Sequence, residues 1–243
     1  MITGIVVALP QELGTLTTRK VVKGHCIFLT DTVVLAYSGA GADNAQAAAQ
    51  LLIAQGATRL ISWGCAAALS ADLKSGDLVL ADELINADGM TIAVDSEWHR
   101  RVRTALEKVA CQASGFALRG GSLLESKTLV SASRDKQQLH QQTNAVALDM
   151  ESIAVAKVAQ SHALPFLAIR AIADPVTMDL PKAIGHAFNQ QGDVELGKLL
   201  KFLLLHPSEL KGLITLGQHF NSAKRTLKLV AKELEHLLVP ELA

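Results

Sequence analysis

Apolar positions along this chain fall mainly in short continuous runs, set between helical stretches and turn-forming residues. The first run, Ile2 to Leu9, is rich in β-branched residues and stops at Pro10, which predicts a buried strand followed by a loop. Cys26 to Thr30 and Val33 to Tyr37 flank the polar pair Asp31-Thr32 and predict a hairpin. Ser38-Gly39-Ala40-Gly41 then breaks the strand, and Asp43 to Gln55 is an alanine-rich helix closed by Gly56. A second cycle gives a strand at Arg59 to Trp63, a small-residue loop at Gly64 to Leu69 and a strand at Asp77 to Ile85. Asp95 caps a helix running to Cys111, Leu118 to Leu124 and Lys127 to Val130 are extended, and Arg134 to Gln142 is a polar helix. The chain re-enters the sheet at Ala145 to Leu148. An amphipathic helix follows over Met150 to His162, then a last buried strand, Phe166 to Ile172, leading to Asp174-Pro175. After Gly192 the pattern changes to leucine-rich, lysine-dotted helices, Val194 to His206 and Ser208 to Phe220, separated by Pro207, with a final helix to about Leu238.

Alternating strands and helices predict a three-layer α/β fold, a mostly parallel mixed sheet flanked by helices, with a helical C-terminal extension. We read residues 1–243 as one domain, with a catalytic core at 1–192 and the extension at 193–243. The composition agrees: 49% of residues are hydrophobic and only 4% aromatic, so the core is built from Ala, Val, Leu and Ile, as suits a sheet covered on both faces. Ligands of such sheets bind at the carboxyl ends of strands, which directs attention to the segments after Leu9, Trp63, Leu148 and Ile172.

Charge and cysteine content narrow the chemistry. With 23 basic and 23 acidic residues the formal net charge is +0, which gives no footprint for nucleic acid and favours a small neutral ligand. Cys26, Cys65 and Cys111 are odd in number and far apart, which argues for reduced thiols in a cytoplasmic protein and against zinc. The apolar N-terminus lacks the basic flank and cleavage site of an export signal. Three carboxylates stand at the ligand-facing ends: Glu12, Glu151 and Asp174. Taken singly, a carboxylate there is most often a helix cap or a solvated loop group.

Six short pieces change that weighting. Ile5-Val6-Val7-Ala8-Leu9-Pro10-Gln11-Glu12, Ser38-Gly39-Ala40-Gly41, Gly64-Cys65-Ala66-Ala67-Ala68-Leu69, Lys74-Ser75-Gly76-Asp77, Leu148-Asp149-Met150-Glu151-Ser152 and Arg170-Ala171-Ile172-Ala173-Asp174 occur in order. In sequence and spacing they resemble the nucleoside phosphorylase superfamily, most closely its methylthioadenosine/S-adenosylhomocysteine nucleosidase branch. The resemblance implies that Asp174 is a protonated acid that donates to adenine N7 as the C1′–N9 bond lengthens. By the same resemblance Glu151 accepts from the ribose hydroxyls, Met150 packs on the sugar, and Glu12 orients or deprotonates the attacking water. The main chain at Leu129 and Val130 would clamp the base edge, and Gly64, Cys65 and Ala66 would lie near the ribose or a phosphate. No metal or cofactor is implied; inorganic phosphate as a co-substrate stays open. So does the partner, for which the family implies a second copy of the chain.

Two departures stand out. Pro10 and Gln11 precede Glu12 where the family is richer in acids, and Cys65 replaces a common serine. A Cys65 nucleophile would need a paired base, and the spacing suggests no histidine for it. The tail, with Asp179-Leu180-Pro181, resembles the hopanoid-associated phosphorylase subfamily, which implies adenosylhopane as substrate and adenine plus ribosylhopane or its phosphate as products. The basic edges of the leucine-rich helices, Lys198, Lys201, Lys211, Lys224, Arg225 and Lys228, suit an anionic membrane surface, and equally a helical cap or dimer contact. Three alternatives remain at this level: a methylthioadenosine/S-adenosylhomocysteine nucleosidase, a purine nucleoside phosphorylase, and a catalytically silent nucleoside-binding protein.

Overall fold

A computed structural model describes residues 1–113, 115–187, 202 and 205–234. The chain forms β1 (Thr3–Val7), α1 (Pro10–Leu16), β2 (His25–Thr30), β3 (Val33–Tyr37), α2 (Ala42–Ala54) and β4 (Arg59–Ala68). The short strands β5 (Leu78–Leu80), β6 (Glu83–Ile85) and β7 (Thr91–Ala93) follow, then α3 (Ser96–Ala113), β8 (Leu118–Arg119) and β9 (Ser122–Glu125). The last described elements are α4 (Ser133–Thr143), β10 (Ala147–Asp149), α5 (Ser152–Ser161), β11 (Phe166–Asp174), α6 (Lys182–Ala187) and α7 (Glu209–Lys232).

All described strands join one mixed sheet, ordered β2-β3-β1-β4-β10-β9-β6-β7, with β11 branching from β4 to reach β5 and β8. β1 is parallel to both β3 and β4, and β11 is parallel to β4 from Phe166↔Leu60 onward. Along β1, Val6 packs with α2 and α5 on one face, while Ile5 and Val7 pack with α1, α3 and α7 on the other. Both faces are therefore dry, which is why the strand reads as a continuous apolar run and not as an alternation. The predicted three-layer arrangement is the one observed.

Several boundaries differ from expectation, each for a physical reason. Gly64 to Leu69 is not a loop: β4 runs on to Ala68, paired on one side with Arg170, Ala171 and Ile172 and on the other with Leu148 and Ala147. Small residues there look like a loop in sequence, whereas tertiary crowding is what requires them. The single strand expected over Asp77 to Ile85 is broken into β5 and β6, which join different branches of the sheet. Lys127 to Val130 is irregular chain beyond β9, held by the Ser126 hydroxyl on the Thr128 carbonyl (2.6 Å). Met150 and Glu151 precede the helix expected to contain them, because Asp149 Oδ1 accepts the Ser152 N–H (3.1 Å) and starts α5 there. The strand at Phe166 extends to Asp174. The segment after Pro10 is a helix, and proline at its first position with glutamate two residues on is a helix start rather than a loop.

In the tail, the helix expected over Val194 to His206 falls almost wholly outside the described residues. The two helices expected after Pro207 are one, α7, whose second half enters the core: Ala223, Leu227 and Val230 are fully buried. Thr226 donates its hydroxyl to the Gly76 carbonyl (2.6 Å), fixing α7 against the segment before β5.

Candidate active site

Glu12 stands two residues into α1, and its carboxylate caps its own helix. Oε2 accepts the Leu9 N–H (3.0 Å), while Oε1 reaches across to the Cys65 N–H on β4 (2.7 Å). Trp63 on β4 donates its indole N–H to Thr15 Oγ1 (3.0 Å), which ties α1 to the same strand. The side chain is 3% exposed, and burial raises its pKa above the usual carboxylate range, opposed by Arg170 and by these N–H donors. The glycine at position 64 makes this approach sterically feasible, since a Cβ there would lie 2.5 Å from Arg170 Nη1 and 2.6 Å from Glu12 Oε1. Cys65 is partly buried, and burial together with Glu12 raises its thiol pKa well above normal, so the sulfur stays protonated and unsuited to nucleophilic attack. Ala66 follows it on β4, 7% exposed.

Arg170 organises the floor. It is buried in β11 and donates from Nε to Asp149 Oδ2 and from Nη2 to the hydroxyls of Ser62 (2.6 Å) and Ser152 (2.9 Å). Glu151 is brought beside this group by the β10–α5 junction, and its Oε1 accepts the Gly41 N–H (2.9 Å). Gly41, at φ +99°, lies immediately before α2 in a backbone conformation that strains any residue with a side chain. Burial and then the neighbouring Asp149 push the Glu151 carboxyl up to about 7, against Arg170 and the Gly41 donor.

Asp174 ends β11 and is 7% exposed. Its Oδ1 accepts from Lys136 Nζ (2.7 Å), whereas Oδ2 is buried with no hydrogen-bond partner among the described residues. Burial raises its pKa, and Lys136 and His219 counter it. Glu12 and Glu151 thus share one charged cluster through Arg170, and Asp174 lies four residues further along the same strand. Met150 sits at the β10–α5 junction, partly buried. Leu129 is 41% exposed and Val130 partly buried, both on the irregular segment before α4. Among the described residues no group of three or more His, Cys, Asp or Glu side chains is arranged to hold a metal ion.

Three participants were not singled out from sequence. Arg170 carried a signal, since a lone arginine inside an otherwise apolar strand must be paired. Asp149 carried only the ordinary signal of a helix cap. Lys136 gave none, because within a polar helix it reads as a surface lysine, yet it is fully buried.

A 5'-methylthioadenosine/S-adenosylhomocysteine nucleosidase of Mycobacterium bovis is 26% identical over 215 residues, covering 70% of this chain and 84% of the relative. One from Staphylococcus epidermidis is 28% identical over 155 residues, 58% and 68% respectively. Among solved structures, a variant of the Helicobacter pylori nucleosidase of the same name, with 5'-methylthioadenosine in its active site, superposes with a TM-score of 0.70 at 18% identity, over 98% of this chain and 97% of the other. Futalosine hydrolase of Helicobacter pylori gives 0.68 at 18%, over 97% and 96%. These structures share the fold. The sequence profile of the phosphorylase superfamily matches residues 3–201, so the chain belongs to that superfamily.

Proposed function

We propose that this protein cleaves the N-glycosidic bond of an adenine nucleoside, with Asp174 as the acid at the base and a water molecule as the nucleophile. The observation that carries the reading is the Asp174 carboxyl: one oxygen tied down, the other buried and without a partner among the described residues, and the pKa raised by burial. Adenine leaves poorly as an anion. As the C1′–N9 bond breaks, its electron pair enters the base while Asp174 gives its proton to N7, which contributes on the order of 10²- to 10⁴-fold. Positive charge grows on the ribosyl centre, where Glu151 accepts from the sugar hydroxyls and Met150 packs on the ring. Glu12 takes the proton of the water that bonds to C1′. The main chain at Leu129 and Val130 lines the base edge.

Water is favoured over phosphate by charge. Arg170 is already committed to Asp149, Ser62 and Ser152, and Glu12, ionised to serve as the base, would repel a phosphate dianion near Gly64 and Cys65.

For the 5′ group we propose the polycyclic lipid of adenosylhopane, on the strength of Asp179-Leu180-Pro181 and of a tail that presents Leu205, Leu210 and Ile214 to solvent. Peripheral contact with the cytoplasmic face of a membrane and assembly as a homodimer belong to the same proposal. No described helix is long and apolar enough to cross a membrane. The named relatives favour a second reading, a thioether nucleoside such as 5'-methylthioadenosine. Adenine release from each substrate, with and without phosphate, separates them. Release from adenosylhopane alone supports the lipid reading, and efficient release from methylthioadenosine replaces it. A sugar phosphate among the products overturns water as nucleophile. Absence of release from either leaves a binding protein. Asp174→Asn is expected to lower adenine release about 10²-fold or more without loss of folding, and unchanged turnover refutes the acid role.

A further inference from the structure

We propose that Lys136 is a positioning residue for Asp174, one that selects which carboxyl oxygen carries the catalytic proton and fastens the two sides of the base site to each other. The inference rests on the acid role given to Asp174 above. Lys136 is buried with 0% exposure, and its ammonium has three N–H groups facing three acceptors: Asp174 Oδ1 (2.7 Å), the Met178 carbonyl (2.7 Å) and the Pro175 carbonyl (3.1 Å). Every donor is used, so the amine has none left for a ligand and acts only through the groups it holds.

Because Oδ1 accepts from the ammonium, a proton on the carboxyl resides on Oδ2, the oxygen with no partner among the described residues. Once that proton passes to the base, the carboxylate left behind already has a cation at hydrogen-bond distance. The developing negative charge is stabilised where it forms and no group has to move. Without the cation, burial alone would hold the proton more tightly and make Asp174 a weaker acid. Two further titratable groups among the described residues bear on Asp174: His219 from α7, which acts in the same direction as Lys136, and Asp179 from the turn after β11, which opposes it.

The same lysine fixes the backbone around the base. Its bonds to Pro175 and Met178 hold the turn after β11 against α4. Two further contacts extend the seam: the Ser133 N–H donates to Asp179 Oδ1 (2.6 Å) and the Leu180 N–H to the Ser131 carbonyl (2.8 Å). Leu129 and Val130 directly precede this seam, so the segment read as lining the base edge and the strand end carrying the acid are registered through it.

The test is the pH dependence of kcat and KM for adenine release by the full chain, compared with Lys136→Gln and Lys136→Met. Loss of the cation is expected to lower kcat about 10²-fold, to leave KM within a few fold, and to move the alkaline limb of the kcat profile to higher pH, since Asp174 then keeps its proton longer. A limb that stays in place, or a loss confined to KM, overturns the proposal. If the uncharged variants do not fold, Lys136→Arg serves: it keeps the cation but cannot match three convergent acceptors, so a lower kcat with an unmoved limb is expected and wild-type kcat overturns the idea. Asp174→Asn separates the two failures. If it turns over normally, the acid role is wrong and this proposal falls with it. If it is inactive while Lys136→Gln keeps wild-type kcat and limb, only the positioning role is wrong.

Discussion

Glu12, Glu151 and Asp174 are chemically ordinary side chains whose properties here come from burial and from the donors each one meets. Glu12 is held at both oxygens by main-chain N–H groups, Glu151 at one by Gly41, and Asp174 at one by Lys136. Glu151 gives the clearest test of that environment. Its carboxyl is pushed from 4.5 up to about 7, so the folded protein binds the proton more tightly than the unfolded chain does. Stability from this group is therefore full below pH 4.5 and is lost as pH rises through about 7. Glu151→Gln removes that loss. Its melting temperature should match the wild type near pH 4 and exceed it at pH 8, by the equivalent of about 1 kcal/mol or more. Thermal melts at the two pH values check this, and an equal offset at both would mean that the carboxyl does not titrate as described. The three acids were visible in sequence as residues at strand ends within family-like motifs. Their partner Lys136 was not, because a lysine in a polar helix looks the same whether it faces water or a carboxylate.

At the scale of elements, β4 and β11 do most of the positioning. They run parallel from Leu60↔Phe166 to Ala66↔Ile172, and their paired residues Gly64 and Arg170 meet Glu12 arriving from α1. Gly64→Ala should therefore displace either the guanidinium or the carboxylate, costing about 1–3 kcal/mol of stability as an overpacked site. Adenine release should fall more than tenfold, because Glu12 loses its alignment with Cys65. Denaturant unfolding and turnover measured together test this. An active variant of wild-type stability would show that the site has room the geometry denies. The sequence reading placed a loop at these residues. A row of Gly, Cys and Ala has weak strand propensity, and only the pairing on both sides makes it a strand.

Over the whole molecule, the C-terminal segment is part of the fold as well as an appendage. Ala223, Leu227 and Val230 are fully buried, and α7 covers the face of the sheet that holds Ile5, Val7, Trp63 and Ile169. A chain ending before Pro207 would expose that face, so it is expected to lose cooperative thermal unfolding and to precipitate on expression. A truncated protein that melts like the full chain would show that α7 is dispensable. The sequence by itself determined the three-layer class, the order of most strands and helices, and the three carboxylates, because burial on both faces of a sheet leaves long apolar runs and the motifs recur at family-like spacing. The tertiary structure alone decided that the 64–69 segment is strand, that α7 is one helix inserted into the core, and that Arg170 and Lys136 are the cations that hold the acids. These depend on contacts between residues far apart in the chain, such as the 38 positions separating Lys136 from Asp174, and local sequence carries no record of a partner that distant.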